Sequence, residues 1–217
     1  MFFYYSIPFF CLGILHLIQG LLEKHKAANI TKVLLMPLLI LTIFLSKYFL
    51  RENSLYVIFA LFFATLGDKF LIKPVSKKNF LRGVLFFFLG HCFYLLCLLP
   101  MSNFWTLPFW AIASMIILYG VIILGVYNIL GMPKGFRGFA AVLYTAILVM
   151  LGFVCLSMLI TNPSKKSIIL FIASIIFMIS DSILGYSLFK KDFKKARFFI
   201  MSTYITAEYL LAYGILS

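Results

Sequence analysis

SIILFIASIIFMISDSILGYSLF, residues 167–189, is a 23-residue stretch of nearly unbroken apolar sequence with Ser180-Asp181-Ser182 set into its second half. About 20 apolar residues carry an α-helix across ~30 Å of hydrocarbon, so the stretch predicts a membrane span. Its Asp is informative for a second reason. A carboxylate at membrane depth costs at least ~2.5 kcal/mol on insertion scales, and such residues usually face a protein interior or cavity and serve a function. An earlier stretch repeats the arrangement: Gly67-Asp68-Lys69-Phe70-Leu71 closes the apolar run 54–72.

Outward from these two stretches the composition is uniform. Of 217 residues, 64% are hydrophobic and 12% charged, with a mean hydropathy of +1.10. Soluble domains are about half apolar and about a quarter charged, so the sequence specifies an integral membrane protein. Eight stretches reach spanning length: 2–22, 31–49, 54–72, 80–99, 105–126, 136–160, 167–189 and 196–216. Short connectors rich in Lys, Asn, Ser, Pro and Gly join them, which predicts antiparallel neighbours. The expected fold is all-α, a polytopic membrane bundle of eight transmembrane helices forming one domain over residues 1–217. Continuous apolar runs without in/out alternation argue against a β-barrel.

The net charge of +13 follows the connectors. Lys24, Lys26, Lys32, Lys69, Lys73, Lys77, Lys78, Arg82, Lys134, Arg137, Lys190, Lys191, Lys194, Lys195 and Arg197 fall on one side, against Lys47, Arg51, Lys165 and Lys166 on the other. Positive charge stays cytosolic, so both termini are expected to be extracytosolic, in a cell (inner) membrane. No basic stretch is interleaved with exposed aromatics, which argues against nucleic acid as a partner. Cys11, Cys92, Cys97 and Cys155 lie in apolar runs without a Cys-x-x-Cys pair and read as packing thiols. Met1 to Phe10 carries no positive charge and reads as a retained first span.

At 1.5 Å per residue, Asp68 lies ~6 Å and Asp181 ~12 Å from the cytosolic ends of their spans. Tyr144 and Tyr204 come out at ~12 Å, His91 at ~16 Å and Glu208 at ~18 Å. Tyr204 and Glu208, four apart, share a face of the eighth span; His91 and Tyr94, three apart, share a face of the fourth. Ala64, Thr65 and Gly67 flank Asp68, and Ser174, Ser180, Ser182 and Gly185 surround Asp181. Small residues admit close helix approach, so these faces are expected to meet other helices and enclose a polar pocket. The plainer reading pairs Asp68 with Lys69, Lys73 or Arg82 as an interfacial pin, and Glu208 with His91 or Tyr204. His16 reads as packing, His25 as a loop residue and Asp192 as a solvated charge. A faint echo spaces Asp68 from His91 and Asp181 from Tyr204 by the same 23 residues, as in repeat-built transporters.

At these residues the chain resembles the lysoplasmalogenase family, the YhhN-like membrane hydrolases. The likeness runs through Leu66-Gly67-Asp68-Lys69-Phe70-Leu71, Phe88-Leu89-Gly90-His91-Cys92-Phe93-Tyr94, Ser180-Asp181-Ser182-Ile183-Leu184 and Thr203-Tyr204-Ile205-Thr206-Ala207-Glu208-Tyr209-Leu210. One departure is Glu208, where family members often carry Gln. The resemblance implies a hydrolase that cleaves the vinyl ether of a lysophospholipid to a fatty aldehyde and a glycerophospho-alcohol. Asp68 and Asp181 would correspond to its paired carboxylates, with His91, Tyr204 and Glu208 lining the same pocket. One protonated and one ionised carboxyl suit that chemistry, as in glycoside hydrolysis. Asp181, deeper and farther from lysines, is the preferred acid. Tyr94 is expected beside the pocket, with Lys73 and Arg82 holding the substrate phosphate and Phe-rich walls taking its chain. Membrane lipids are the other partners; no cofactor or metal is expected. The alternatives are a proton-coupled transporter using Asp68, Asp181 and Glu208 as a relay, and a zinc lipid amidase. Zinc would need more than the two span histidines, His16 and His91.

Overall fold

The computed structural model describes residues 2–72, 77–103, 106–130 and 135–217. Among the described residues the regular structure is helical: α1 (Phe2–Tyr5), α2 (Ile7–Leu21), α3 (His25–Leu45), α4 (Ser54–Leu71), α5 (Lys77–Leu98), α6 (Phe109–Leu130), α7 (Phe136–Thr161), α8 (Lys165–Phe189) and α9 (Ala196–Leu216). Short 3₁₀ turns, Lys47–Leu50 and Leu99–Met101, follow α3 and α5. Helices α3, α4, α5, α7, α8 and α9 are long and apolar enough to cross a membrane; the apolar segments Ile7–Leu21 and Phe109–Gly125 are shorter. The chain is a multi-pass helical membrane protein.

Helix α3, expected over 31–49, runs from His25 to Leu45 ahead of the turn Lys47–Leu50, and two further boundaries differ from the sequence expectation at prolines. The expected run 2–22 is interrupted at Ser6, ahead of Pro8 in the first turn of α2. Proline has no N–H for an i→i−4 bond, so it favours the start of a helix over its interior. Ser6 bridges the break by donating from Oγ to Phe2 O at 2.8 Å. The run expected over 105–126 becomes helical at Phe109, where Pro108 O accepts from the amides of Ala111 and Ile112. From there α6 continues to Leu130.

Most consecutive helices pack side by side, most closely α4 on α5 and α8 on α9; among the described residues α5 packs on α7 more than on α6, and α9 closes onto α2 and α4. One apolar core runs through the bundle, with Leu35 and Leu39 of α3, Leu61 of α4, Leu151 of α7, Phe177 of α8 and Leu211 of α9 all fully buried. Without water around the helices, close van der Waals contact is the main packing force, and small residues allow it. Gly90 of α5 sits against the α4 backbone, where a Cβ would come 3.1 Å from Ala60 O. At the other end of the bundle Lys166 donates to Ile215 O at 2.9 Å, tying the start of α8 to the last turn of α9.

Helix α6 packs on α7 and α8 through a smaller cluster that includes Met115, Tyr119, Val149 and Phe153. Its outer face is apolar and open: Ile116, Ile117 and Leu124 are all more than 60% exposed. Such a face suits acyl chains, which are as apolar as the side chains they meet.

Candidate active site

The polar residues singled out by the sequence run inward from the end of the bundle where α4 and α8 finish and α7 and α9 begin: Asp68, Asp181 and Tyr204 lie toward that end, and His91, Glu208 and Tyr94 lie deeper. Asp68 lies in the last turn of α4, on the face that also buries Ala60, Leu61 and Ala64. It is 1% exposed. A carboxylate so placed must be fully partnered, because an unpaired buried charge costs several kcal/mol. Two other helices supply the partners. Lys32 Nζ of α3 lies 3.1 Å from Asp68 Oδ1, and Tyr204 of α9 donates its hydroxyl to Oδ2 at 3.0 Å. One turn farther along α9, Glu208 is equally buried and accepts a 2.6 Å bond from Tyr94 OH of α5.

Asp181 of α8 accepts a hydrogen bond from Tyr144 OH of α7. Counting from the helix ends, Tyr144, Asp181 and Tyr204 each lie about 12 Å in, a single level across three helices. Asp181 is half-buried and forms part of a cleft of about 90 Å³ between α5, α7 and α8, walled by Phe80, Phe87, Tyr144, Met178 and Phe189 among others. The lining is mainly apolar, with Asp181, Ser182, Thr145 and the Tyr144 hydroxyl as its polar points.

Between the two carboxyl–tyrosine pairs stands an aromatic cluster. The Phe87 ring lies 6.5 Å from Tyr144 and 6.1 Å from Tyr204. His91 packs edge-on against Phe177 at 4.6 Å and Tyr144 at 5.6 Å. Its Nδ1 lies 2.8 Å from Phe87 O. That carbonyl can only accept, so Nδ1 carries the proton and Nε2 the lone pair. Nε2 is buried without a hydrogen-bond partner among the described residues. Asp68 and Asp181 are close enough to interact electrostatically, and Glu208 interacts with both.

The structure therefore clusters Asp68, Asp181, His91, Tyr94, Tyr204 and Glu208 within the bundle, but they do not line one pocket as expected: of the six only Asp181 lines the cleft, and the other five are buried among the helices. Arg82 lies elsewhere. It is exposed, its guanidinium sits 5.5 Å from the Phe70 ring centroid, and it lines a separate groove of about 300 Å³ with Phe88, Phe136 and Phe139. Lys73 falls outside the described residues. Two members of the site escape a sequence reading: Lys32, which takes the place expected of Lys69, Lys73 or Arg82 as partner of Asp68, and Tyr144. Lys32 begins an apolar run with no acid near it in sequence, so only the packing of α3 on α4 reveals the pair. Tyr144 carries a weak signal, the same depth as Asp181. Glu208 pairs with Tyr94 and also hydrogen-bonds with Tyr204, one of its two expected partners. His16 lies in a separate network, 2.8 Å from Thr31 Oγ1, which in turn donates to Gln19. Among the described residues no cluster of three or more His, Cys, Asp or Glu is placed to hold a metal ion.

A multi-pass helical bundle that encloses partnered carboxyls between its helices is the class of protein these observations define. The model of the YhhN family matches residues 27–215, most of the chain, and the chain belongs to that family. No curated protein and no solved structure matches it.

Proposed function

We propose that this YhhN-family protein is a membrane hydrolase, a lysoplasmalogenase that cleaves the vinyl ether of a single-chain glycerophospholipid by carboxylate acid/base chemistry. The observation that carries this reading is the placement of Asp181. It sits with a tyrosine donor in an apolar-walled cleft, and a second carboxyl, Asp68, is anchored behind the Phe87 ring. The level is shallow, as the linkage just inside a headgroup layer requires. We infer the topology to be eight crossings with both termini extracytosolic, in a cell membrane, a reading supported by the one-sided charge distribution.

In this reading Asp181 donates a proton to the β-carbon of the vinyl ether, leaving an oxocarbenium ion. Water adds to the carbon bearing the oxygen, and the Asp181 carboxylate takes the proton that the water releases. The hemiacetal then collapses to an aldehyde and a glycerophospho-alcohol, with one water consumed and Asp181 restored. Asp68, ion-paired with Lys32, keeps a negative charge behind the aromatic layer that favours the cationic intermediate. General acid catalysis contributes roughly 10²–10⁴-fold, so Asp181→Asn should lose about that much turnover. The deciding assay offers purified protein a lysoplasmalogen and its ester analogue. Aldehyde from the vinyl ether alone, lost in Asp181→Asn and reduced in Asp68→Asn with folding intact, supports the reading. Full turnover in both variants overturns it.

One observation favours a second reading, proton-coupled transport: the contacts Lys32–Asp68–Tyr204 and Tyr94–Glu208 run inward along α9. Proteoliposomes that take up protons with a solute, and make no aldehyde, would favour it.

A further inference from the structure

We propose that Arg137 is the anion-binding residue of the cleft and takes the phosphate of the single-chain lipid whose glycerol end lies beside Asp181. The inference rests on the functional reading above and supplies the phosphate site that Arg82, on its separate groove, does not. Helix geometry places it first. Ala141, Tyr144, Thr145 and Leu148 of α7 all line the cleft, and Arg137, beyond that lining at the start of α7, precedes Ala141 by one turn on the same face. It stands seven residues, about 10.5 Å along the axis, from the tyrosine that holds Asp181.

The surroundings of its guanidinium place it again. Arg137 Cζ lies 6.0 Å from the centroid of Phe80, a cleft wall that packs edge-on against Phe189, another wall, at 5.5 Å. A guanidinium held against a ring keeps its in-plane N–H donors at the edge of the stack. Arg137 Nε is buried and meets no hydrogen-bond acceptor among the described residues. Arginine cannot shed its proton to relieve such a donor, and a phosphate oxygen would satisfy it while neutralising the charge, in the paired geometry guanidinium favours. From Arg137 inward along α7, the order is cation, carboxyl level, then the apolar wall around Leu148. It matches the order of phosphate, vinyl ether and chain in the lipid.

The test measures binding apart from turnover. Wild-type protein, Arg137→Ala and Arg137→Lys are titrated in detergent with a non-cleavable 1-O-alkyl lysophosphatidylcholine, with 1-O-alkylglycerol of the same chain and with inorganic phosphate. The wild type is expected to bind the phospholipid about tenfold or more tighter than the alkylglycerol. Arg137→Ala should lose that preference and keep its alkylglycerol affinity, and Arg137→Lys should recover part of it. A preference that survives in Arg137→Ala overturns the proposal and leaves the residue an interfacial anchor. Inorganic phosphate that binds the wild type as tightly as the lipid would also overturn it, in favour of a free-anion site. With a cleavable substrate, Arg137→Ala should raise KM about tenfold and leave kcat within about twofold. If the wild type releases no aldehyde, the hydrolase reading fails while the binding comparison still decides Arg137.

Discussion

Asp68 has three helices invested in it. Lys32→Met would leave its carboxyl buried without a countercharge, a change that typically costs about 3–5 kcal/mol. The melting temperature in detergent is expected to fall sharply. Adding Asp68→Leu to Lys32→Met should restore much of the loss, because removing both partners of a buried pair is far milder than removing one. A double variant no more stable than Lys32→Met would mean that the ion pair is not what holds α3 to α4. Tyr204→Phe removes one donor to the same carboxyl and should cost about 1–3 kcal/mol, with a loss of turnover measured in parallel. At this scale the sequence shows the carboxyls and hides their partners. An Asp in an apolar run is conspicuous by its cost. Lys32 and Tyr144 look like an interfacial lysine and one of 12 tyrosines until the neighbouring helix is seen.

Between elements, the closest packing also shapes the site. A Cβ on Gly67 of α4 would meet Phe87 Cδ2 of α5 at 2.7 Å. Phe87 is the ring that separates Tyr144 from Tyr204, so Gly67→Ala must either displace that ring or spread α4 from α5. Such overpacking costs roughly 1–3 kcal/mol. Turnover should drop with no polar group altered, and Phe87→Leu in the same chain should recover part of it by vacating the space. No recovery would place the damage in the helix pair and not in the ring. Helices of this length are legible from apolar runs alone, since a span needs little beyond length and hydrophobicity. The ends at Ser6 and Phe109 were less so, because proline acts on backbone hydrogen bonding that a count of apolar residues does not register.

Most of the chain's basic residues fall at one end of the bundle, the end where Arg137 and the cleft lie, against Lys47, Arg51, Lys165 and Lys166 at the other. A cysteine placed at Asn162, in the connector between α7 and α8, should react with a membrane-impermeant maleimide added outside intact cells. One placed at Glu23, between α2 and α3, should react only after lysis. The reverse pattern would turn the protein over and put the cleft in the outer leaflet.

Helix α6 leans on Val149 and Phe153 of α7, and Val149 is also a wall of the cleft. Tyr119 of α6 reaches to 3.2 Å of where a Cβ on Gly152 would stand, so that seam is tight while the opposite face, with Ile116, Ile117 and Leu124, is exposed. Lateral pressure from surrounding chains then becomes part of what keeps the wall in place, and a micelle exerts that pressure differently from a bilayer. Preparations stripped to short-chain surfactant should weaken first along α6, and reconstitution into nanodiscs should restore both the seam and the cleft behind it.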